Sequence, residues 1–152
     1  VELTGRYDMV EAAPRIRAEA LAAPALSFLL DGAAVRRVRI PLLIAWAERD
    51  SVVREPYNVR WLLKALRTSP TVWMVRGAGH YAFLAPCGPE LAAVVPALCS
   101  DPPSVDRISL HARLNSAIVR FFDLALARAA SGSSRRSEDR DGRGLQSIRR
   151  RP

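Results

Sequence analysis

Apolar positions in the first half of the chain fall into three continuous runs. Residues 16–23 are mostly apolar and stop before Pro24. Residues 40–47 read IPLLIAWA, and residues 71–75 read TVWMV just ahead of Gly77. Runs without polar alternation suit strands covered on both faces, as in a parallel sheet. Between the second and third runs, Val59, Leu62, Leu63 and Leu66 recur at helical spacing, and Pro56 suits a first helical turn. The order strand, loop, helix, strand predicts a βαβ unit. A short helical pattern covers residues 88–98 (Leu91, Val94, Val95). A long one covers 104–129, with Ile108, Leu110, Leu114, Ile118, Phe121, Phe122 and Leu126 on its apolar side, and Gly132 is expected to end it. The expected fold class is therefore α/β, with about three parallel strands and flanking helices.

Composition divides the 152 residues in two. Residues 1–130 have globular patterning and form one expected domain. Residues 131–152 hold seven Arg against Glu138, Asp139 and Asp141, with Leu145 and Ile148 as their only large apolar side chains. Such a segment buries too little surface to offset its conformational entropy, so a disordered Arg-rich tail is expected. That tail carries half of the formal charge of +8. Arg-rich tails can bind nucleic acid or anionic lipid, but interspersed acids and missing aromatics favour a solvated segment, and no nucleic-acid partner is expected. All of the 23 basic residues except Lys64 are Arg, a skew that codon bias also produces. No apolar run reaches the roughly 18 residues of a membrane span, so none is expected. No His, Cys, Asp and Glu cluster has zinc spacing, so no metal is expected either.

The loops after the second and third runs carry the candidate chemistry. In open α/β sheets, ligands bind beyond the carboxyl ends of the strands. One such end reads Glu48-Arg49-Asp50-Ser51; the other reads Gly77-Ala78-Gly79-His80-Tyr81-Ala82-Phe83. Parallel neighbouring strands put both loops on one edge, where a carboxylate can orient an imidazole and stabilise its protonated form. A lone Asp at a strand end is more often a turn or cap, and a lone His in a Gly-rich loop is more often structural. The specificity lies in the two together, separated by about 30 residues and a helix. Glu48 or Glu55 could replace Asp50 as the acid. Trp46, Trp61 and Trp73 read as core residues, and His111 as a surface or helix-packing residue.

These two segments resemble the C-terminal part of an α/β-hydrolase. The stretch 40–53, ending in Glu48-Arg49-Asp50-Ser51-Val52-Val53, looks like that fold's penultimate strand and catalytic acid, and Gly77-Ala78-Gly79-His80 like its histidine loop. His80-Tyr81-Ala82-Phe83-Leu84-Ala85-Pro86-Cys87, Cys99-Ser100-Asp101-Pro102-Pro103 and the last helix (His111 to Phe122) resemble the predicted dienelactone-hydrolase-like group. Pro14-Arg15-Ile16-Arg17-Ala18, running into Ala23-Pro24-Ala25-Leu26, resembles the strand after the nucleophile helix. The resemblance spans about residues 14–126. It implies a serine-type hydrolase of small esters or lactones, without metal or organic cofactor, with Asp50 as acid and His80 as general base. Tyr81 and Phe83 are candidates to line the substrate pocket.

The chain departs from that family at the nucleophile. No Gly-x-Ser-x-Gly elbow occurs. Ser27 has no glycine beside it to permit a strained turn, Ser133 and Ser134 lie in the tail, and Cys87 follows the His where the family's nucleophile precedes the acid. The oxyanion segment is missing as well. The chain is therefore expected to be the C-terminal half of a longer enzyme whose N-terminal half is its natural partner, with residues 1–13 a remnant of the preceding helix and loop. The alternative is a non-catalytic pseudoenzyme or interaction module. Cys87 and Cys99 flank residues 88–98, and a bridge there would tie the His segment to the final helix. Bridged, they imply an exported or periplasmic bacterial parent; as free thiols, they suit a cytoplasmic one.

Overall fold

The computed structural model describes residues 15–148, with side chains through residue 128. Residues 1–14, including the expected remnant at 1–13, lie outside the described residues. Three strands form one parallel sheet in the order β1 (Glu19–Ala22), β2 (Leu42–Ala47), β3 (Thr71–Val75). β1 pairs with β2 from Glu19 opposite Leu42 to Ala22 opposite Ala45. β3 pairs with β2 from Thr71 opposite Leu43 to Val75 opposite Ala47.

β2 is central because both of its faces are apolar. Leu42 and Ile44 face one layer, in a cluster with Val35, Val59, Leu62 and Leu66 on which Trp46 and Trp61 also pack. Those partners come from α1 (Gly32–Val35) and α2 (Val59–Ala65) and their flanks. Leu43 and Ala45 face the other layer with Leu114, and Ala47 joins Val75, Ala78, Ala82 and Leu110. That layer is α5, Arg107–Ile148. Ile44 and Ala45 are 0% exposed. The result is an α/β arrangement with helices on both faces of a small sheet.

Local chemistry sets the element ends. The expected strand at 16–23 shortens to Glu19–Ala22: Arg15, Ile16 and Arg17 are exposed, and pairing starts only opposite Leu42. α2 begins at Val59 rather than in a turn opened by Pro56. The Glu55 carboxylate accepts from the Val59 and Arg60 N–H groups at 2.8 and 2.9 Å, capping the helix from outside. The pattern at 88–98 becomes α3 (Pro89–Val94) and α4 (Pro96–Cys99). Pro96 lacks the N–H that a continuous helix needs. The backbone of α5 stays helical to Ile148, whereas the pattern ends it at Gly132 and expects an unstructured tail. A glycine inside a helix costs only about 1 kcal/mol relative to alanine, so it does not by itself stop one. No helix among the described residues is long and apolar enough to cross a membrane.

The start of α5 is fixed by Asp106. Its Oδ1 accepts from the Ile108 N–H at 3.0 Å, and its Oδ2 accepts from the Ser109 hydroxyl. The Ser109 hydroxyl and then the Ser109 N–H hold the Asp106 carboxyl below its ordinary value of 3.8.

Two outcomes follow from this packing. Leu110 is 1% exposed beneath Ala78 and Ala82, so Leu110→Ala lowers the unfolding free energy by about 2–5 kcal/mol in a urea titration. Asp106 has a lowered folded-state pKa, so its contribution is complete above the unfolded value of 3.8 and is lost as pH falls through the folded value. Asp106→Ala therefore melts below wild type at pH 7, and the gap in Tm closes as the buffer is taken well below pH 3.8.

Candidate catalytic pair at the sheet edge

β2 and β3 both end at the same edge, and their backbones stay joined past the strands. Glu48 N–H donates to the Val75 carbonyl at 3.0 Å, and Arg49 N–H to the Ala78 carbonyl at 2.9 Å. The chain leaves β3 through Gly77, whose φ of +71° is a left-handed conformation that favours glycine. A Cβ there would stand 2.9 Å from Ser104 Oγ, so the turn also lies close against the segment before α5.

On this frame His80 Nδ1–H donates to Asp50 Oδ2 at 2.8 Å, across 30 residues of sequence. The other Asp50 oxygen, Oδ1, accepts from Val52 N–H at 2.9 Å and Val53 N–H at 2.6 Å. Two backbone donors on one oxygen hold the carboxylate plane, and the second oxygen is left for the imidazole. The Asp50 side chain is 7% exposed and that of His80 25%. With its Nδ1 proton held, the ring has its other nitrogen, Nε2, as the acceptor. Carboxylate, tautomer and accessible imidazole together form an arrangement that can serve as an oriented general base.

Three acids compete for this role in the sequence, and the structure gives each a different partner. Asp50 holds His80. Glu48 Oε2 accepts from Gly77 N–H at 2.8 Å. Glu55 caps α2. Tyr81 packs edge-on to the His80 ring, with centroids 5.4 Å apart. Phe83 packs instead against the core beside Trp73. Ser27 opens a 3₁₀ turn, Ser27–Leu29, that packs on α2, and it is 1% exposed. No hydrogen bond joins it to His80 among the described residues.

Of the support behind the His turn, the Cys87–Cys99 bridge was legible in the sequence, and the contacts of His111 and Arg107 were not. His80–Phe83 form a 3₁₀ turn, and His111 Nε2–H, from α5, donates to the Ala82 carbonyl at 3.0 Å. Cys87 and Cys99 are joined as a disulfide with Cα atoms 5.6 Å apart, enclosing α3 and most of α4. Arg107 is buried and anchors the end of that loop: Nε donates to Asp101 Oδ2 at 2.6 Å and Nη1 to the Leu98 carbonyl at 2.9 Å. The bridge and the arginine thus attach the segment after the His turn to the first turn of α5.

A cavity of about 900 Å³ lies at the opposite, amino-terminal ends of β2 and β3, lined by residues such as Pro41, Leu43, Thr71 and Phe121. Asp50, His80, Tyr81 and Phe83 do not line it. Among the described residues no group of three or more His, Cys, Asp and Glu is placed to hold a metal ion. Comparisons of the chain with protein-family models, curated proteins and solved structures return no match.

The disulfide predicts a measurable dependence on reductant. Its cysteines are 12 residues apart, and closing a loop of that size stabilises a fold by about 3 kcal/mol. Urea unfolding with and without a thiol reductant should differ by that order, and Cys87→Ser with Cys99→Ser should reproduce the reduced value in either buffer.

Proposed function

We propose that this chain is the acid–histidine half of a serine-type α/β-hydrolase acting on small carboxylic esters or lactones. The observation that carries the reading is the 2.8 Å bond from His80 Nδ1–H to an Asp50 carboxylate fixed by two backbone N–H groups, at the ends of adjacent parallel strands. In this reading His80 Nε2 takes the proton of a serine hydroxyl as that oxygen attacks the ester carbonyl. The resulting imidazolium, stabilised by Asp50, then gives the proton to the departing alcohol. Water repeats the cycle to release the acid. In this reading Tyr81, edge-on to His80, walls one side of the leaving group.

The serine and the oxyanion donors belong, in this reading, to a segment outside residues 1–152. Ser27 cannot supply the hydroxyl while it is packed on α2 at 1% exposure. The disulfide supports an oxidising compartment for the parent protein.

A second reading, a non-catalytic interaction module, has its own support. Apolar side chains are exposed around the ends of β1: Ile16 at 52%, Leu26 at 58% and Leu29 at 68%. Large apolar side chains left exposed at both ends of an edge strand are available to a partner surface.

The test separates the two. The 152-residue chain alone should neither turn over an activated ester nor label with a fluorophosphonate probe, since a base without a nucleophile or oxyanion donors has nothing to activate. A longer protein carrying an elbow serine ahead of this chain should hydrolyse the ester and lose activity by about 10²–10⁴-fold on His80→Ala. An inactive longer protein favours the interaction module. Stoichiometric labelling of residues 1–152, abolished by Ser27→Ala, would overturn the assignment of the nucleophile.

A further inference from the structure

We infer that Glu48 is a positioning residue for His80, acting through the backbone of Gly77. Its catalytic consequence rests on the hydrolase reading; the positioning itself does not.

Glu48 follows the last residue of β2 and precedes Asp50 by two. Gly77 lies two residues past Val75, the last residue of β3, and precedes His80 by three. The Gly77 N–H to Glu48 Oε2 bond at 2.8 Å therefore lies on the same two loops as the Asp50–His80 bond, one step nearer the sheet. Between them runs the Arg49 N–H to Ala78 carbonyl bond at 2.9 Å. Three successive cross-links join the acid loop to the His loop, and two of them are made by acidic side chains. Removing the Glu48 carboxylate leaves the backbone bonds of Glu48 N–H to Val75 and Arg49 N–H to Ala78 on either side of Gly77, and the Asp50–His80 bond itself, but nothing on the Gly77 N–H at the turn where the His loop departs.

Gly77 makes this departure point sensitive. Its positive φ turns the chain out of β3, and its neighbour across the turn is Ser104 at the approach to α5. The Ala78 N–H contact with the Val75 carbonyl is long, at 3.4 Å, so the turn's own backbone hydrogen bonding is weak. A charged acceptor on the Gly77 N–H is a stronger restraint than that contact. Its loss lets the turn rotate and carries His80 out of line with a carboxylate that Val52 and Val53 keep in place.

The experiment uses the ¹⁵N-labelled chain and the low-field Nδ1–H resonance of His80, assigned by its loss in His80→Gln. Glu48→Ala should broaden that resonance or speed its exchange with water by about tenfold, the factor expected for one hydrogen bond. Glu48→Gln keeps an oxygen acceptor and should hold the exchange within about twofold of wild type. An Nδ1–H signal unchanged in Glu48→Ala would overturn the inference. Should Glu48→Ala fail to fold, the Gly77 amide of the unaltered chain decides. Exchange at least about tenfold slower than in an unstructured peptide supports the restraint, and free exchange overturns it. None of these readouts needs ester turnover, so failure of the hydrolase assignment would leave the result standing.

Discussion

Burial of β2 on both faces is the constraint from which the remaining arrangement follows. A strand reading LLIAWA has no polar face to give to water, so helices must cover it from both sides. Leu42 and Ile44 require the α1 and α2 side; Leu43, Ala45 and Ala47 require α5. Covering strands with intervening helices makes the connections crossovers and the strands parallel. Parallel strands then release their chains at one edge. That is why Asp50 and His80, 30 residues apart, come within 2.8 Å of each other.

Parallel strands bring two loops together, but they do not aim a side chain. Aim comes here from groups that spend their hydrogen bonds on backbone. Val52 and Val53 N–H groups hold the carboxylate, Glu48 holds Gly77, and His111 holds the Ala82 carbonyl. Two of these lie in the acid loop and one comes from α5, so the His turn is clamped between the sheet edge and the helix layer. The disulfide and the buried Arg107 close the path from the far end of that turn to the start of α5. Leu110, one residue from His111, packs under the same turn. One helical turn thus supplies both the apolar floor and a polar restraint.

The sequence was legible where one physical pattern dominates. The runs at 40–47 and 71–75 become β2 and β3 because nothing else buries so many apolar residues in so short a length. β1 was legible only in part. Ile16 extends the apolar run, yet it is half exposed, since the register with β2 begins at Glu19. The acid–histidine pair could be proposed from loop order alone. The residue pattern alone left Glu48, Asp50 and Glu55 open, and only the resemblance favoured Asp50, because all three carboxylates accept from backbone N–H groups and such bonds leave no mark in a residue pattern. Arg107 and His111 escaped for the same reason: each meets a carbonyl whose position is set by the fold. The capping of α2 from Glu55 and the break at Pro96 are likewise local bonding events that override a continuous apolar period.

The restraints on Asp50 and His80 all arise between residues 47 and 111, within the strands, the α3–α4 loop and the first turns of α5. Among the described residues, none of them involves β1. The orientation of this carboxylate and this imidazole is consequently a property of the β2–β3–α5 unit. Under the proposed reading, the nucleophile's strand adds beyond β1 and meets a base already formed. Induced alignment of the acid with the histidine is then unnecessary, and only the approach of the serine oxygen to Nε2 remains to be fixed by assembly. Under the same reading, the heavy support of a pair with no serine hydroxyl bonded to it among the described residues has a physical sense: its geometry is set by the folding of the β2–β3–α5 unit, ahead of the chemistry it would serve.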